Sequence, residues 1–184
     1  RGECRRALYV EADWAPKPGY KLSARESGTK RALRGNSIVK NMRGAVVDRP
    51  MPEVKPDEVL LRVGAAGICG TDVHLLETDA DGYTLYDGHS RYPIITGHEF
   101  PGTVVEAGKN VPPLKVGDMV SVASTPCCGD AAACRLGMRN QAALLAEPGL
   151  TFDGGSAHYS ATKAKPCDRR NDVPDSYADR IAAR

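Results

Sequence analysis

Apolar residues in this chain come in short runs broken by prolines, glycines and charges, and that rhythm predicts strands joined by tight turns. Ala7–Val10 is one such run. Ala45–Asp48 is another, closed by Arg49-Pro50-Met51-Pro52, where prolines stop any helix. After a turn at Lys55–Glu58, the stretch from Val59 to Ala66 is the strongest strand, and its small-residue end lets backbones approach closely. Gly102–Gly108, Met119–Ala123 and Ser156–Ala161 continue the pattern, with turns at Lys115–Asp118 and Asp153-Gly154-Gly155. Thr71–Glu77 reads as a short helix, for which Thr71 or Asp72 offers a capping oxygen. Trp14–Tyr20 is a turn region, Thr78–Arg91 a polar loop, and Asp175–Arg184 the start of a helix. Lys30–Arg43, rich in basic residues, reads as a solvated surface. The aspartates near residue 80 lack the bidentate glutamate of an EF-hand loop and are read as turns. Short antiparallel strands at this spacing predict a mainly β fold, a small barrel closed or half closed, with a few short helices.

Composition narrows the function. The 184 residues suffice for one good core, and scarce aromatics (5%) with plentiful glycine and proline fit short strands. Charged residues make up 26% of the chain but the net charge is only +2, which gives no basis for a nucleic-acid or anionic-membrane partner. No apolar run reaches the roughly 18 residues of a membrane span, and no secretion signal opens the chain. The chain begins at Arg1, as a processed protein or a fragment would. Its six cysteines are Cys4, Cys69, Cys127, Cys128, Cys134 and Cys167. Three of them crowd one short stretch, which favours metal ligation over disulfides and implies a reducing, cytoplasmic setting.

The chemistry concentrates between Gly67 and Gly102. Gly67-Ile68-Cys69-Gly70-Thr71-Asp72-Val73-His74 and Gly97-His98-Glu99-Phe100 put one thiol, two imidazoles and one carboxylate at the ends of apolar runs. That is the donor inventory of a catalytic zinc site, which takes thiolate, imidazole and a further ligand and leaves one position for substrate. Cys69 and His98 are far apart in sequence, so only a fold can unite them. Alone, each has a plainer reading: Cys69 as a small apolar packer after a strand, Thr71 as a helix cap. His89 and His158 are read as ordinary surface or satisfied histidines.

These motifs, with Pro101-Gly102, Val116-Gly117-Asp118 and Asp153-Gly154-Gly155, resemble the N-terminal GroES-like catalytic domain of the medium-chain zinc alcohol dehydrogenases. The resemblance covers roughly residues 43 to 180. The stretches His74–Tyr83 and Ala164-Lys165-Pro166-Cys167 resemble more narrowly a subgroup acting on cyclic polyols, the scyllo-inosose type dehydrogenases. The resemblance implies a GroES-like, partly closed barrel and a catalytic zinc on Cys69 and His98, with Glu99 as ligand or near-ligand. Zinc acts in such a site as a Lewis acid on an alcohol or ketone oxygen, and hydride passes to or from NAD or NADP. Thr71 and His74 match a proton relay, and Asp72 can orient a ligand from behind. The implied partners are a small-molecule alcohol, polyol or ketone, and a full-length enzyme has room to be a homo-oligomer.

Two departures matter. The family's structural-zinc lobe carries four cysteines, but Ala131 and Ala142 stand where the second and fourth would be, leaving Cys128 and Cys134 with Cys127 and Asp130 as poor substitutes. A structural zinc is therefore not expected in the lobe, residues 124–148. The chain also holds no Gly-x-Gly-x-x-Gly after a strand, so a Rossmann domain is absent and the cofactor site is expected to be incomplete. The expected organisation is a lead segment over 1–42, the zinc catalytic domain over 43–180, and at 181–184 the junction to a missing nucleotide-binding domain. The expected function is the zinc-binding part of an NAD(P)-dependent alcohol or polyol dehydrogenase, inactive by itself. The alternatives are a GroES-like module without redox activity and a decayed fragment. Metal analysis after exposure to zinc is expected to find one zinc per chain, lost in Cys69→Ser; two zincs would show the 127–142 lobe to be a working site.

Overall fold

The computed structural model describes residues 4–111, 114–124, 135–138, 146–165 and 167–169. In chain order the elements are β1 (Cys4–Trp14), α1 (Ala24–Thr29), β2 (Arg31–Ala32), α2 (Gly35–Ile38), β3 (Val39–Pro50) and β4 (Glu58–Val63). They continue with α3 (Gly70–Leu76), β5 (Ser90–Arg91), β6 (Ile94–Ile95), β7 (Pro101–Ala107), β8 (Met119–Val122), β9 (Tyr159–Lys163) and β10 (Cys167–Arg169). The strands form a five-stranded sheet in the order β10-β8-β7-β4-β9, a three-stranded sheet β3-β1-β6 and a two-stranded β2-β5 pair. Every strand pairing in these sheets is antiparallel. The protein is mainly β, and among the described residues its sheets do not close into a full barrel. Among the described residues no helix is long and apolar enough to cross a membrane.

β4 is an interior strand, between β7 and β9. Val59, Leu60 and Leu61 are all buried, because β7 flanks one edge, β9 the other, and the apolar run has no solvent face to alternate toward. Val59 and Leu61 pack with Phe100, Val104, Val111, Leu114, Val120 and Val122 in the main core. Past Val63 the ladder continues less regularly: Gly64 N–H donates to Pro101 C=O and Gly67 N–H to Glu99 C=O. The chain leaving β4 thus runs beside the chain entering β7, and the two motif-bearing segments become neighbours.

The first 42 residues are built into this fold more firmly than a lead segment suggests. β1 spans eleven residues rather than the four-residue run at Ala7–Val10, and pairs with both β3 and β6. The basic stretch from Lys30 is not simply surface: Ala32, Ile38 and Val39 are buried in a second core, with Trp14, Tyr20, Leu22 and Tyr92 around them. Arg34 and Arg43 are exposed, whereas Arg31 is half-buried with its Nε enclosed. β9 begins at Tyr159, three residues later than the sequence pattern places it, because the Gly154–Ser156 backbone first bonds to residues 95–97. The start of a helix expected at Asp175–Arg184 lies outside the described residues.

α1 carries a buried acid. Glu26 is 1% exposed, and its carboxylate accepts from Ser23 N–H, Ser23 Oγ–H, Tyr20 Oη–H and Leu33 N–H. Burial would raise its pKa, but the hydrogen bonds prevail and hold the carboxyl below its ordinary value of 4.5. A carboxyl depressed by folding stabilises the protein above that ordinary value and loses the effect as pH falls through the lowered one. Glu26→Gln turns an amide N–H toward these donors and is expected to cost about 1–3 kcal/mol at pH 7. Urea unfolding should show that difference narrowing as pH falls below 4.5; a constant difference would show that Glu26 contributes no pH-dependent stability.

Candidate metal centre

α3 begins at the end of the segment that leaves β4, and its cap builds the site. The N-cap is Cys69 itself, not Thr71 or Asp72 as the sequence suggested: Cys69 Sγ accepts from Thr71 N–H at 3.2 Å. Asp72, at the third helical position, accepts from Cys69 N–H through Oδ2 at 3.1 Å. A thiol in the capping role was not anticipated because sulfur is a weak acceptor compared with the usual Ser, Thr or Asp oxygens. Together the pair fixes the thiol's direction and satisfies two helix-end amides.

The other half comes from the turn before β7. Asp72 Oδ1 accepts from Gly97 N–H at 3.3 Å and lies 3.6 Å from His98 Nδ1. At that distance the pair is an ion pair rather than a hydrogen bond, and buried Nδ1 has no hydrogen-bond partner. The opposite ring nitrogen, Nε2, is 3.2 Å from Cys69 Sγ. Glu99 follows, its carboxylate lying against Gly67, where an added Cβ would sit 3.1 Å from Oε2. One donor atom each from Cys69, His98 and Glu99 falls within 4.8 Å of the others. His98 is buried, Cys69 partly buried and Glu99 exposed, so the cluster opens to solvent on one side.

The backbone needs glycine at Gly97. Its φ of +89° lies in the left-handed region, and an added Cβ would stand 2.5 Å from Ser156 Oγ. The Asp153-Gly154-Gly155 turn presses on the same point: a Cβ on Gly154 would fall 2.0 Å from Gly97 C=O. Asp153 anchors that turn, accepting from Ile95 N–H and from the buried Arg5 guanidinium.

Charge follows the geometry. The Thr71 hydroxyl, above all, holds the Cys69 thiol below its usual pKa, with help from the Thr71 amide and His98 and against burial. His98 is pushed up to about 9, first by Asp72 and then, after the opposing effect of burial, by Cys69. His74 is on the same helix but exposed, with Nδ1 3.1 Å from Glu77 Oε2. His158 is exposed, and half-buried His89 has Nδ1 3.5 Å from Arg31 Nη2. Cys127, Cys128, Asp130, Ala131, Cys134 and Ala142 of the expected broken lobe lie outside the described residues. Among the described residues, Cys4, Cys69 and Cys167 form no disulfide.

Two neighbours of the site are missed by sequence reasoning. The half-buried Tyr86 phenol lies within electrostatic reach of Cys69, and the half-buried Glu147 carboxylate within reach of His98. Glu147 had one visible signal, a lone acid following the apolar Ala142–Ala146 run. Tyr86 had none.

An open-sheet β domain with a thiol, an imidazole and a carboxylate converging at one helix start defines a metal-site class of protein. Residues 55–171 match the alcohol dehydrogenase GroES-like domain family, and the chain belongs to that family. It is 35% identical over 167 residues to scyllo-inosose 3-dehydrogenase of Thermotoga maritima, an alignment covering 87% of this chain and 42% of that protein. A solved Thermotoga maritima structure described as an alcohol dehydrogenase superposes with a TM-score of 0.85 at 34% identity, over 90% of this chain and 44% of that one. A zinc-binding dehydrogenase from Sinorhizobium meliloti, solved with NADP, gives 0.64 at 28% identity over 94% and 40%. The chain thus spans less than half the length of these relatives.

The Asp72–His98 pair has a testable signature in the metal-free protein. A histidine whose pKa folding raises stabilises most below its unfolded value near 6.5, and that stability is lost as pH rises through about 9. Asp72→Asn is expected to return the His98 titration, followed by NMR, toward 6.5 and to abolish the loss of stability between pH 6.5 and 9. An unchanged His98 titration would remove Asp72 as the cause.

Proposed function

We propose that this chain is the metal-holding part of an NAD(P)-dependent dehydrogenase that oxidises a secondary alcohol of a polyol to a ketone. The observation that carries the reading is the convergence of Cys69, His98 and Glu99 within 4.8 Å. A mixed thiolate, imidazole and carboxylate set suits zinc better than magnesium or calcium, which take oxygen ligands. The spacing suits it too. Ligand bonds of about 2.3 Å to sulfur and 2.0–2.1 Å to nitrogen at a tetrahedral angle put those atoms about 3.6 Å apart. The observed Cys69 Sγ–His98 Nε2 distance of 3.2 Å needs only a small widening. Family membership and the likeness to scyllo-inosose 3-dehydrogenase support the reaction class and the polyol substrate.

Bound there, zinc supplies Lewis acidity toward an alcohol or ketone oxygen, while a nicotinamide held by further sequence supplies the hydride partner. The chain's own residues do the rest. Cys69, His98 and Glu99 hold the ion, and Asp72 fixes the His98 ring so that Nε2 faces the site. The Thr71 hydroxyl beside Cys69 takes the proton from the substrate hydroxyl. His74, exposed on the following turn and paired with Glu77, receives a proton in turn from Thr71 and passes it to water. A cytoplasmic setting belongs to the same proposal, since a thiolate ligand requires a reducing compartment.

Cobalt(II) tests the ligand set because a thiolate–cobalt bond gives a near-ultraviolet charge-transfer band. The protein is expected to show that band at one equivalent and to lose it in Cys69→Ser. Since His98 must shed a proton to bind, cobalt affinity should rise by up to about tenfold per pH unit and level off near pH 9. A band unchanged in Cys69→Ser would place the metal elsewhere and overturn the reading.

A further inference from the structure

β1 bears on the metal centre from outside the residues that match the family. Arg5, 4% exposed, lies on that strand, well before residue 55 where the match begins. Its guanidinium donates to Asp153 Oδ2 at 2.9 Å and to Tyr159 C=O at 2.7 Å. Its Nε is buried with no hydrogen-bond partner. A charge buried in this way adds little net stability, because desolvation opposes its attraction to the carboxylate. What the pair does achieve is a fixed place for Asp153, whose other oxygen, Oδ1, accepts from Ile95 N–H at 3.1 Å.

From Asp153 the contacts lead to His98. The residues after it bond along the segment that ends there: Gly154 N–H donates to Ile95 C=O at 2.8 Å, Ser156 N–H to Thr96 C=O at 2.9 Å, and Gly155 N–H to Gly97 C=O at 2.9 Å. The third bond matters most. Gly97 C=O and His98 N–H share one rigid peptide plane, so the donor on that carbonyl sets how the chain enters His98. Gly97 does not set it alone, since glycine at φ +89° is conformationally permissive. The turn also presses on the chain before and after His98. A Cβ on Gly154 would fall 2.0 Å from the Gly97 oxygen, and one on Gly155 would fall 2.1 Å from the Phe100 ring. β1 closes the arrangement, with Leu8 N–H donating to Ser156 C=O and Leu8 C=O accepting from Thr96 N–H.

We propose that Arg5 and Asp153 are positioning residues for the metal centre: their ion pair holds the 153–156 turn so that the Gly97–His98 peptide aims the imidazole at Cys69. The proposal rests on the metal reading above and adds that the N-terminal strand takes part in metal binding. Among the described residues, neither side chain bonds to Cys69, His98 or Glu99; both act through Gly155 and Gly97. Asp72 fixes the ring from the α3 side, whereas the Arg5–Asp153 pair fixes the backbone that carries the ring. Removing a group that supports a ligand typically lowers metal affinity about 10–100-fold, and a pair acting one step further back is expected near the lower end, about tenfold.

The test is cobalt(II) titration of the whole chain, read by the thiolate–cobalt band, in wild type, Arg5→Met, Asp153→Asn and the double variant. Circular dichroism verifies the fold of each. Both single variants are expected to bind cobalt about tenfold more weakly, with shifted visible bands reporting altered ligand geometry. The double variant is expected to lose no more than either single one, because the two residues act as a unit. Arg5→Lys keeps the charge and is expected to recover part of the affinity. Glu26→Gln, a destabilising change in α1 that shares none of these contacts, is expected to leave the cobalt affinity and bands unchanged. Equal weakening there would show that lost stability alone lowers affinity, and would overturn the proposal. Wild-type affinity and bands in folded Arg5→Met and Asp153→Asn, or losses that add in the double variant, would overturn it too and leave the metal reading standing. Should Arg5→Met not fold, Asp153→Asn, which keeps the side chain's shape, carries the test. Absence of the band from wild type, or its survival in Cys69→Ser, would overturn the metal reading and this proposal with it.

Discussion

A single carboxylate ties the two halves of the candidate site together. Asp72 closes the start of α3 through the Cys69 amide with one oxygen, and meets Gly97 N–H and His98 Nδ1 with the other. Cys69 and Gly97 belong to different segments, so this one side chain converts two local turns into a fixed distance between a thiol and an imidazole. Being 8% exposed, it is screened little by water, and its charge acts strongly on the ring beside it. The imidazole shifts toward its charged form in consequence, and the thiol, held chiefly by Thr71, shifts toward its own; a metal would exploit the second tendency and have to reverse the first.

The close approach of these segments depends on missing side chains. Gly97, Gly149 and Gly154 meet backbone to backbone, and a methyl group on any of them would collide within 2.7 Å. Behind them, β4 and β7 are held in register by the apolar cluster of Val59, Leu61, Phe100 and Val104. The core therefore positions the site indirectly: it aligns β4 with β7, their extensions meet at Gly67 and Glu99, and the ligating residues occupy those extensions. Rigid strands supply the accuracy, and irregular segments supply the exposed side chains.

Much of this was legible in the sequence because the same residues serve backbone geometry and chemistry. Cys69, His98 and Glu99 stood out through their glycine-flanked motifs, and the strands around them through apolar runs ended by turns. The first 42 residues were harder to read. Their buried positions, Ala32, Ile38 and Val39, are few and scattered among arginines and lysines, so local composition conceals a core that exists only when β1 pairs with β3 and β6. The Cys69 cap was hidden because sulfur seldom takes that role. Tyr86 left no signal, and Glu147 only that of a lone acid after an apolar run, because their positions are set by long-range packing of turns, which leaves no periodic trace in the chain.

The division of labour within the proposed enzyme follows from where these constraints lie. Among the described residues, the direct contacts that orient Cys69, His98 and Glu99 come from residues between Gly67 and Ser156. Preorganisation of the donor atoms thus needs no nucleotide-binding partner. Hydride transfer does need one, since the sequence has no dinucleotide fingerprint. On the proposed reading, ion and alcohol are held by this domain and the hydride partner by a nucleotide-binding part; the side of the cluster open to solvent is the one where Glu99 is exposed. An arrangement of that kind lets a water-accessible site admit substrate first and exclude water only when the two parts meet, which is the condition under which a fixed charge acts most strongly on a reacting oxygen.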